Sequence, residues 1–354
     1  MKILCYGAGP LASLLASRLI AGGQDVTMLA RGKRLEDLRS SGLVLCDLVS
    51  GDCEHVSVPV VERLEPWDSY DLVIVLMGKH HVKEVLPVLE ANQVCPNILF
   101  MGNNIAGPDE LAAAVGKERL LMGFFGAAGK IDDDIVYYAT QIGRSQSRLM
   151  LGDPYQGVTP LVEAVATVLE ASGFPVDRLA DIDAYLKTHA AAILPVGCAY
   201  YLAGRSLDQL AATPDAQVVM LRGMREAIGV LRALGVPITP PRIRLTMSLP
   251  EPLMVAVMRK RMLAPGVRLG GIHLDGMHAE LVCLAEEFTA LKRRTNHATP
   301  NLDRLMAALS PSVPPIPPGS AGLKLDWRGV WAALAAISAM IALVFGMRRR
   351  RTRR

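Results

Sequence analysis

The reading turns on the first 34 residues, MKILCYGAGPLASLLASRLIAGGQDVTMLARGKR (1–34). Lys2 to Tyr6 is a short apolar run that ends in Gly7-Ala8-Gly9, and apolar residues then recur at helical spacing through Leu11, Leu14, Leu15, Leu19 and Ile20. Gly22-Gly23 closes that helix, and Asp25 to Leu29 is a second apolar run. The pattern predicts strand, tight turn, helix and strand, the β-α-β unit that holds a dinucleotide. Gly7 permits the sharp reversal, and Gly9 leaves the main chain open to a pyrophosphate. Ala12 takes the third small position, where helix and strand pack closely. The helix opening at Pro10 and Leu11 aims free N–H groups and its positive dipole end at the phosphates.

The end of the second strand indicates which dinucleotide. A domain that selects NAD usually places Asp or Glu there to hold the ribose 2′-hydroxyl, whereas this chain reads Leu29-Ala30-Arg31-Gly32-Lys33-Arg34. Three cations suit a 2′-phosphate, so the expected cofactor is NADP(H), with Arg31 as principal contact and Lys33 or Arg34 in support. A solvated basic loop is the other reading.

At 354 residues and 51% hydrophobic content, the chain is long enough for two domains with their own cores. The formal charge of +4 misleads, because six of the 38 basic residues are arginines in the last seven positions. That leaves 32 cations against 34 acids in the body, which carries no nucleic-acid signature. Cys5, Cys46, Cys53, Cys95, Cys198 and Cys283 are scattered without metal-ligand spacing. They read as buried free thiols in a reducing compartment, and no metal site is expected. No secretion signal is expected either, since a strand and glycine turn occupy the start.

Further along, Asp71 to Met77 is a continuous apolar run fit for a buried parallel strand, followed by Gly78-Lys79-His80-His81 and a helix to about Asn92. Ligands of doubly wound sheets lie beyond the C-terminal ends of strands, so this segment should face the cofactor. Ile98 to Met101 is the next strand and leads to Gly102-Asn103-Asn104, where an amide would meet a ribose or substrate hydroxyl, or serve as an ordinary turn residue. Leu120 to Leu151 reads as strands with turns, Asp132 to Asp134 being a solvated hairpin turn. Beyond Ala180 the text becomes helical, starting with a long helix from Asp181 to Ala203 that carries Lys187 and is expected to kink at Pro195. His80, His81 and His189 read as structural or exposed, and the methionines between Met220 and Met277 as core filler.

Taken together, GAGPLAS (7–13), TMLARG (27–32), DLVIVLMGKHH (71–81), MGNNIAGPDEL (101–111), LLMGFFGAAG (120–129), AYLKTHAAAILP (184–195) and AELVCLAEEF (279–288) before ATPNLDRL (298–305) resemble the ketopantoate reductase (2-dehydropantoate 2-reductase) family. That family lies within the 6-phosphogluconate dehydrogenase-like superfamily, and the resemblance covers roughly residues 1 to 308. It implies an α/β Rossmann-type domain over 1–179 and an all-α substrate domain over 180–309. It also implies an NADP-dependent oxidoreductase acting on a small carbonyl substrate. Lys187 would be the general acid and Glu280 a second catalytic residue; Gly7, Gly9, Pro10, Leu11, Ala12, Arg31, Lys79 and Asn103 would bind cofactor.

The departures cluster at the substrate. Ala191 and Pro195 stand where the family carries two asparagines, APGVRLGGIHLDGMHAE (264–280) lacks the family's serine, and Lys79 falls one residue late, behind Gly78. A pocket that loses polar groups should lose a polar substrate, so a ketone or 2-keto acid more apolar than ketopantoate is expected. An NADPH-binding sensor without turnover and an opine or hydroxyacid type of dehydrogenase are the alternatives, and a homodimer is left open.

The C-terminal stretch reads separately. Residues 310–329 are expected as a proline-rich linker, and Val330 to Met347 is uncharged over 18 residues, with Trp327 and Trp331 marking one end and Arg348 to Arg354 the other. At ~1.5 Å per residue such a helix would cross most of a ~30 Å hydrocarbon core. The expectation is therefore a single C-terminal hydrophobic helix in the lipid bilayer, membrane-anchoring a catalytic body that stays cytoplasmic, with an arginine-rich tail (348–354).

Overall fold

The structure is a computed structural model that describes residues 1–142, 145–263 and 274–332, together with 334, 335 and 338. In chain order the strands are β1 Lys2–Tyr6, β2 Asp25–Leu29, β3 Leu43–Asp47, β4 Cys53–Val56, β5 Val60–Val61, β6 Leu72–Val75, β7 Ile98–Met101, β8 Leu120–Phe125, β9 Ala128–Asp132, β10 Ile135–Ala139, β11 Gln141–Ile142, β12 Ser145–Gln146, β13 Leu149–Gly152 and β14 Val176–Arg178. The first five helices are α1 Pro10–Ala21, α2 Gly32–Ser41, α3 Lys79–Ala91, α4 Asp109–Val115 and α5 Pro160–Glu170.

Eight strands form one sheet in the order β14-β13-β8-β7-β6-β1-β2-β5, parallel except where β13 meets β8. β1 lies between β2 and β6, with Lys2 opposite Asp25 and Tyr6 opposite Leu29. Alternation along β1 sends Ile3 and Cys5 into one buried layer and Leu4 and Tyr6 into the other, so the sheet is covered on both faces. This is the doubly wound architecture expected from the opening residues, and its ligand crevice lies beyond the C-terminal ends of β1, β6 and β7.

A second sheet, β4-β3-β10-β9, was not anticipated as a unit. Its central pair joins β3 in parallel to β10, some ninety residues later (Val44 opposite Ile135). It packs on α1, where Arg18 pairs with Glu54 at 2.8 Å and donates to the Tyr138 hydroxyl at 2.6 Å. The expectation of six free thiols is corrected here. Cys46 and Cys53 face each other across the β3–β4 register and form a disulfide, while Cys5, Cys95, Cys198 and Cys283 are free.

The chain then becomes helical: α6 Ile182–Leu202, α7 Leu207–Ala212, α8 Pro214–Ala233, α9 Arg242–Met247, α10 Glu251–Met262, α11 His278–Lys292 and α12 Pro300–Ala307. Asp181 caps α6, its side chain accepting from the Ala184 N–H at 2.8 Å. The helix runs unbroken through Pro195. Leu194, Cys198, Val219, Leu281, Phe288 and Leu302 share the core of this region, so α6, α8, α11 and α12 bury their apolar faces on one another. Met220, Met224, Met262 and Met277 belong to the same core, as expected.

The proline-rich segment does not run free of this body. Ile316 is buried and its N–H donates to the Leu202 carbonyl, while the buried Asp215 carboxylate receives the Gly322 and Leu323 N–H groups at 3.0 and 2.8 Å. Arg222 donates to the Lys324 carbonyl, and Glu251 accepts from the Asp326 N–H. The segment is thus strapped along α8 and α10.

The expected membrane anchor is also corrected. No helix among the described residues is long and apolar enough to cross a membrane. A helix that spans a bilayer requires about 20 continuous apolar residues. The hydrophobic helix expected over 330–347, the bilayer as partner and a membrane-anchored localisation are therefore not supported. The rest of that stretch, with the arginine tail, lies outside the described residues.

Candidate active site

The turn between β1 and α1 follows the logic of its glycines. Gly7 has φ +121°, and a Cβ there would stand 2.8 Å from the Leu76 carbonyl oxygen at the end of β6. Gly9 is the N-cap of α1 with φ −69°, no side chain caps the helix, and a Cβ at Gly9 would meet nothing within 4 Å. The first N–H groups of α1, including those of Leu11 and Ala12, are therefore uncapped by any side chain and open toward space a phosphate can fill.

These differences predict opposite outcomes for two small substitutions. Gly7→Ala should cost about 2–3 kcal/mol of stability in denaturant unfolding, because it combines a left-handed φ with a backbone clash. Gly9→Ala should unfold at the wild-type midpoint yet bind a dinucleotide more weakly.

A cavity of about 680 Å³ opens in front of this turn, and its lining includes Tyr6, Ala8, Arg31, Met77, His81 and Ile131. Arg31 donates to the buried Tyr6 hydroxyl at 3.1 Å, which fixes the guanidinium at the cavity's basic end. Lys33 and Arg34 also line it. Lys33 is bound to Asp37 at 3.1 Å and to Asp134 at 2.5 Å, while Arg34 donates to the Ala8 and Asp134 carbonyls. Asp132 to Asp134 form the largely exposed β9–β10 hairpin turn, as expected, and the hairpin also carries Asp134 across to the basic loop.

Lys79 sits elsewhere than expected. It is 5% exposed and pairs with Glu287 of α11 at 3.2 Å, so its charge is compensated on the helical side. The cavity wall at this turn is made by Gly78, His81 and Glu84.

The second part of the site is the Gly102–Pro108 loop after β7. Asn104 closes it, exchanging hydrogen bonds with the Gly107 N–H and carbonyl at 3.0 and 3.1 Å. Glu287 accepts from the Ile105 and Ala106 N–H groups, and Asn103 Nδ2 donates to Glu280 at 3.0 Å. From the other side, α6 places Lys187 against the loop: a Cβ built on Gly107 would lie 3.4 Å from its Nζ. Lys187 is 13% exposed and ion-paired with Asp183 one turn earlier on α6. Asn103 and Glu280 are thus brought into contact, and Lys187 meets the far end of the same loop.

Three buried polar atoms in this region lack a hydrogen-bond partner: Asn103 Oδ1, Asp183 Oδ1 and His80 Nδ1. Burial holds the His80 pKa below its usual value, as does the neighbouring His81, while Glu280 and Glu84 oppose the shift. Unpaired buried groups are costly, and their grouping here suits a site that a polar ligand completes. The sequence reading missed Asp183, Glu287 and Asn104. The Asp183–Lys187 spacing of four on a helix was a usable signal; Glu287 was not legible, because its partners lie some two hundred residues away.

His189 is structural, as expected. Its ring lies 4.2 Å from that of Phe124 and 6.2 Å from that of Tyr185, and burial pushes its pKa down from 6.5 to about 4. The folded-state pKa lies below the unfolded one, so protons favour the unfolded chain as the pH falls through this window. Stability should be full above about pH 6.5 and decline toward about pH 4. Denaturant midpoints measured across that range should show a smaller decline in His189→Gln.

Among the described residues no His, Cys, Asp and Glu group could hold a metal ion. Residues 3–148 match the family model described as ketopantoate reductase PanE/ApbA. The resemblance to ketopantoate reductases is therefore supported, and the family-model match covers the cofactor side.

Among curated proteins, the chain is 26% identical over 147 residues to the uncharacterized oxidoreductase YkpB of Bacillus subtilis, covering 35% of this chain and 48% of that protein. It is 32% identical over 87 residues to the 2-dehydropantoate 2-reductase of Mesorhizobium japonicum, covering 24% of this chain and 26% of that protein. The chain thus spans about half the length of the first and about a quarter of the second.

The fold extends further than the sequence similarity. The 2-dehydropantoate 2-reductase of Geobacter metallireducens superposes with a TM-score of 0.69 at 18% identity, covering 87% of this chain and 99% of that one. A D-mandelate dehydrogenase with NADH and anilino(oxo)acetate superposes with a TM-score of 0.70 at 16% identity, covering 87% and 97%. The ketopantoate reductase-like fold, a Rossmann-type sheet followed by a helical domain, is common to all three.

Proposed function

We propose that this chain is an NADP(H)-dependent reductase of a 2-keto acid or ketone, with the cofactor domain over 1–179 and the catalytic helices over 180–309. The observation that carries the reading is the loop after β7. It leaves the sheet two strands from β1, and it is held between Lys187 on α6 and Glu280 and Glu287 on α11. A substrate in the crevice would lie between the nicotinamide end of the cavity and these side chains.

When bound, the nicotinamide supplies or accepts hydride at the substrate carbon. The protein's part is to fix the carbonyl and manage charge. The Lys187 ammonium stabilises negative charge growing on the carbonyl oxygen and delivers a proton to it. Asp183 orients that ammonium through their ion pair. Glu280, steadied by Asn103, accepts a hydrogen bond from a substrate hydroxyl or hydrate. Gly7, Gly9, Leu11 and Ala12 would cradle the pyrophosphate, and Arg31 would meet the 2′-phosphate.

Ala191 is fully buried on α6 and Pro195 is buried one turn on, so neither offers a polar atom to a substrate. This supports a substrate with an apolar side chain, and the structure of a D-mandelate dehydrogenase of the same fold with NADH and anilino(oxo)acetate, an aryl-bearing ligand, is in keeping with that reading. The test is the rate of NADPH oxidation with ketopantoate against phenyl- and alkyl-substituted 2-keto acids. Faster turnover of the apolar acids is expected. Faster turnover of ketopantoate would refute the apolar pocket, and tight NADPH binding without turnover of any acid would point to the sensor alternative.

A further inference from the structure

The cavity's basic end holds more acid than a 2′-phosphate site needs. Three cations, Arg31, Lys33 and Arg34, stand there with two carboxylates, Asp37 and Asp134, all five lining the same cavity. Lys33 is shared between both acids, and Arg34 is committed to the carbonyls of Ala8 and Asp134. Arg31 donates instead to the Tyr6 hydroxyl and is bonded neither to Asp37 nor to the Asp134 hairpin. Asp37 belongs to α2, one turn beyond Lys33, and is an ordinary helical neighbour. Asp134 comes from a different sheet, at the tip of the β9–β10 hairpin, with Asp133 and Asp134 both in the left-handed region (φ 45° and 68°). The hairpin is therefore built so that its tip reaches the basic loop, with Ile131 of the same hairpin forming part of the cavity wall.

We propose that Asp134 is a specificity-determining residue that restrains the preference for NADPH over NADH by occupying Lys33 and adding negative charge where the 2′-phosphate binds. The inference rests on the reading of this cavity as a nicotinamide dinucleotide site. With Asp134 in place the five groups sum to one positive charge; without it they sum to two. A 2′-phosphate must draw Lys33 away from Asp134 or tolerate the carboxylate beside it, whereas the NADH ribose hydroxyl meets neither demand. The pair is largely exposed, with 74% of the Lys33 and 43% of the Asp134 side chain accessible, so the restraint is modest and reversible.

The test is fluorescence titration of the full chain with NADPH and NADH, in wild type, Asp134→Asn and Asp132→Asn. Asparagine tolerates the left-handed conformation and keeps the carbonyl that receives Arg34, so the hairpin is preserved. Asp132 pairs with Lys130 outside the cavity and serves as the control. Asp134→Asn should tighten NADPH by about threefold to tenfold and leave NADH within about twofold, with the gain shrinking in added salt. Asp132→Asn should change neither. An unchanged NADPH to NADH ratio, or equal weakening of both, would overturn the proposal and leave Asp134 as a mere brace for the basic loop. Failure of the wild type to bind either dinucleotide would instead sink the reading of the cavity itself.

Discussion

Arg31→Ala should weaken NADPH binding by about 30- to 100-fold while leaving NADH within about twofold. The guanidinium lies at the cavity's basic end and donates to the neutral Tyr6 hydroxyl, and among the described residues no carboxylate is bonded to it. A charge-assisted, bidentate contact to phosphate is worth about 2–3 kcal/mol, which sets the size of the loss. Lys33 and Arg34 cannot replace it, because each is already engaged with the Asp134 hairpin. Parallel titrations with the two dinucleotides read the effect. Equal weakening of both would mean that Arg31 shapes the cavity rather than meeting the 2′-phosphate.

Lys187→Met should lower turnover by about a thousandfold or more, with NADPH affinity changed less than about twofold. Lys187 lies on α6 against Gly107, on the substrate side of the Gly102–Pro108 loop and outside the cavity that would hold the cofactor. Methionine keeps the length of the side chain and removes the proton and the charge. It also strands Asp183, whose Oδ1 already lacks a partner, so a stability loss of about 1–2 kcal/mol should accompany the change. Asp183→Asn separates the two effects: it keeps the lysine and a hydrogen-bond partner for it, so turnover should fall far less than in Lys187→Met. If Lys187→Met retains wild-type turnover, the general acid lies elsewhere.

How much of this was legible in the sequence depended on how local the signal was. The β1 turn, α1 and β2 follow from spacing within thirty residues, and Ile98–Met101 occupies the range read from the chain alone. The β3–β10 ladder was not legible, since alternation identifies strands without naming distant partners. The same limit hid the Cys46–Cys53 bridge: seven residues apart, the cysteines match no metal spacing, and only the hairpin register sets them opposite each other.

Asp134 read correctly as part of a solvated turn, but nothing local shows that β9–β10 folds back to α2. The proline-rich segment read as a free spacer, yet Ile316 and the acceptors Asp215 and Glu251 bind it to the helices. At the candidate active site, residue types were readable while pairings were not. Asn103 and Glu280 were named separately and lie 177 positions apart, and only the fold makes them one unit.

The most direct test of the account is the affinity of the full chain for NADPH and NADH, measured side by side by quenching of tryptophan fluorescence or by energy transfer to the reduced nicotinamide. The account predicts saturable binding of both, with NADPH the tighter. Tighter binding of NADH, or no saturable binding of either, would contradict it.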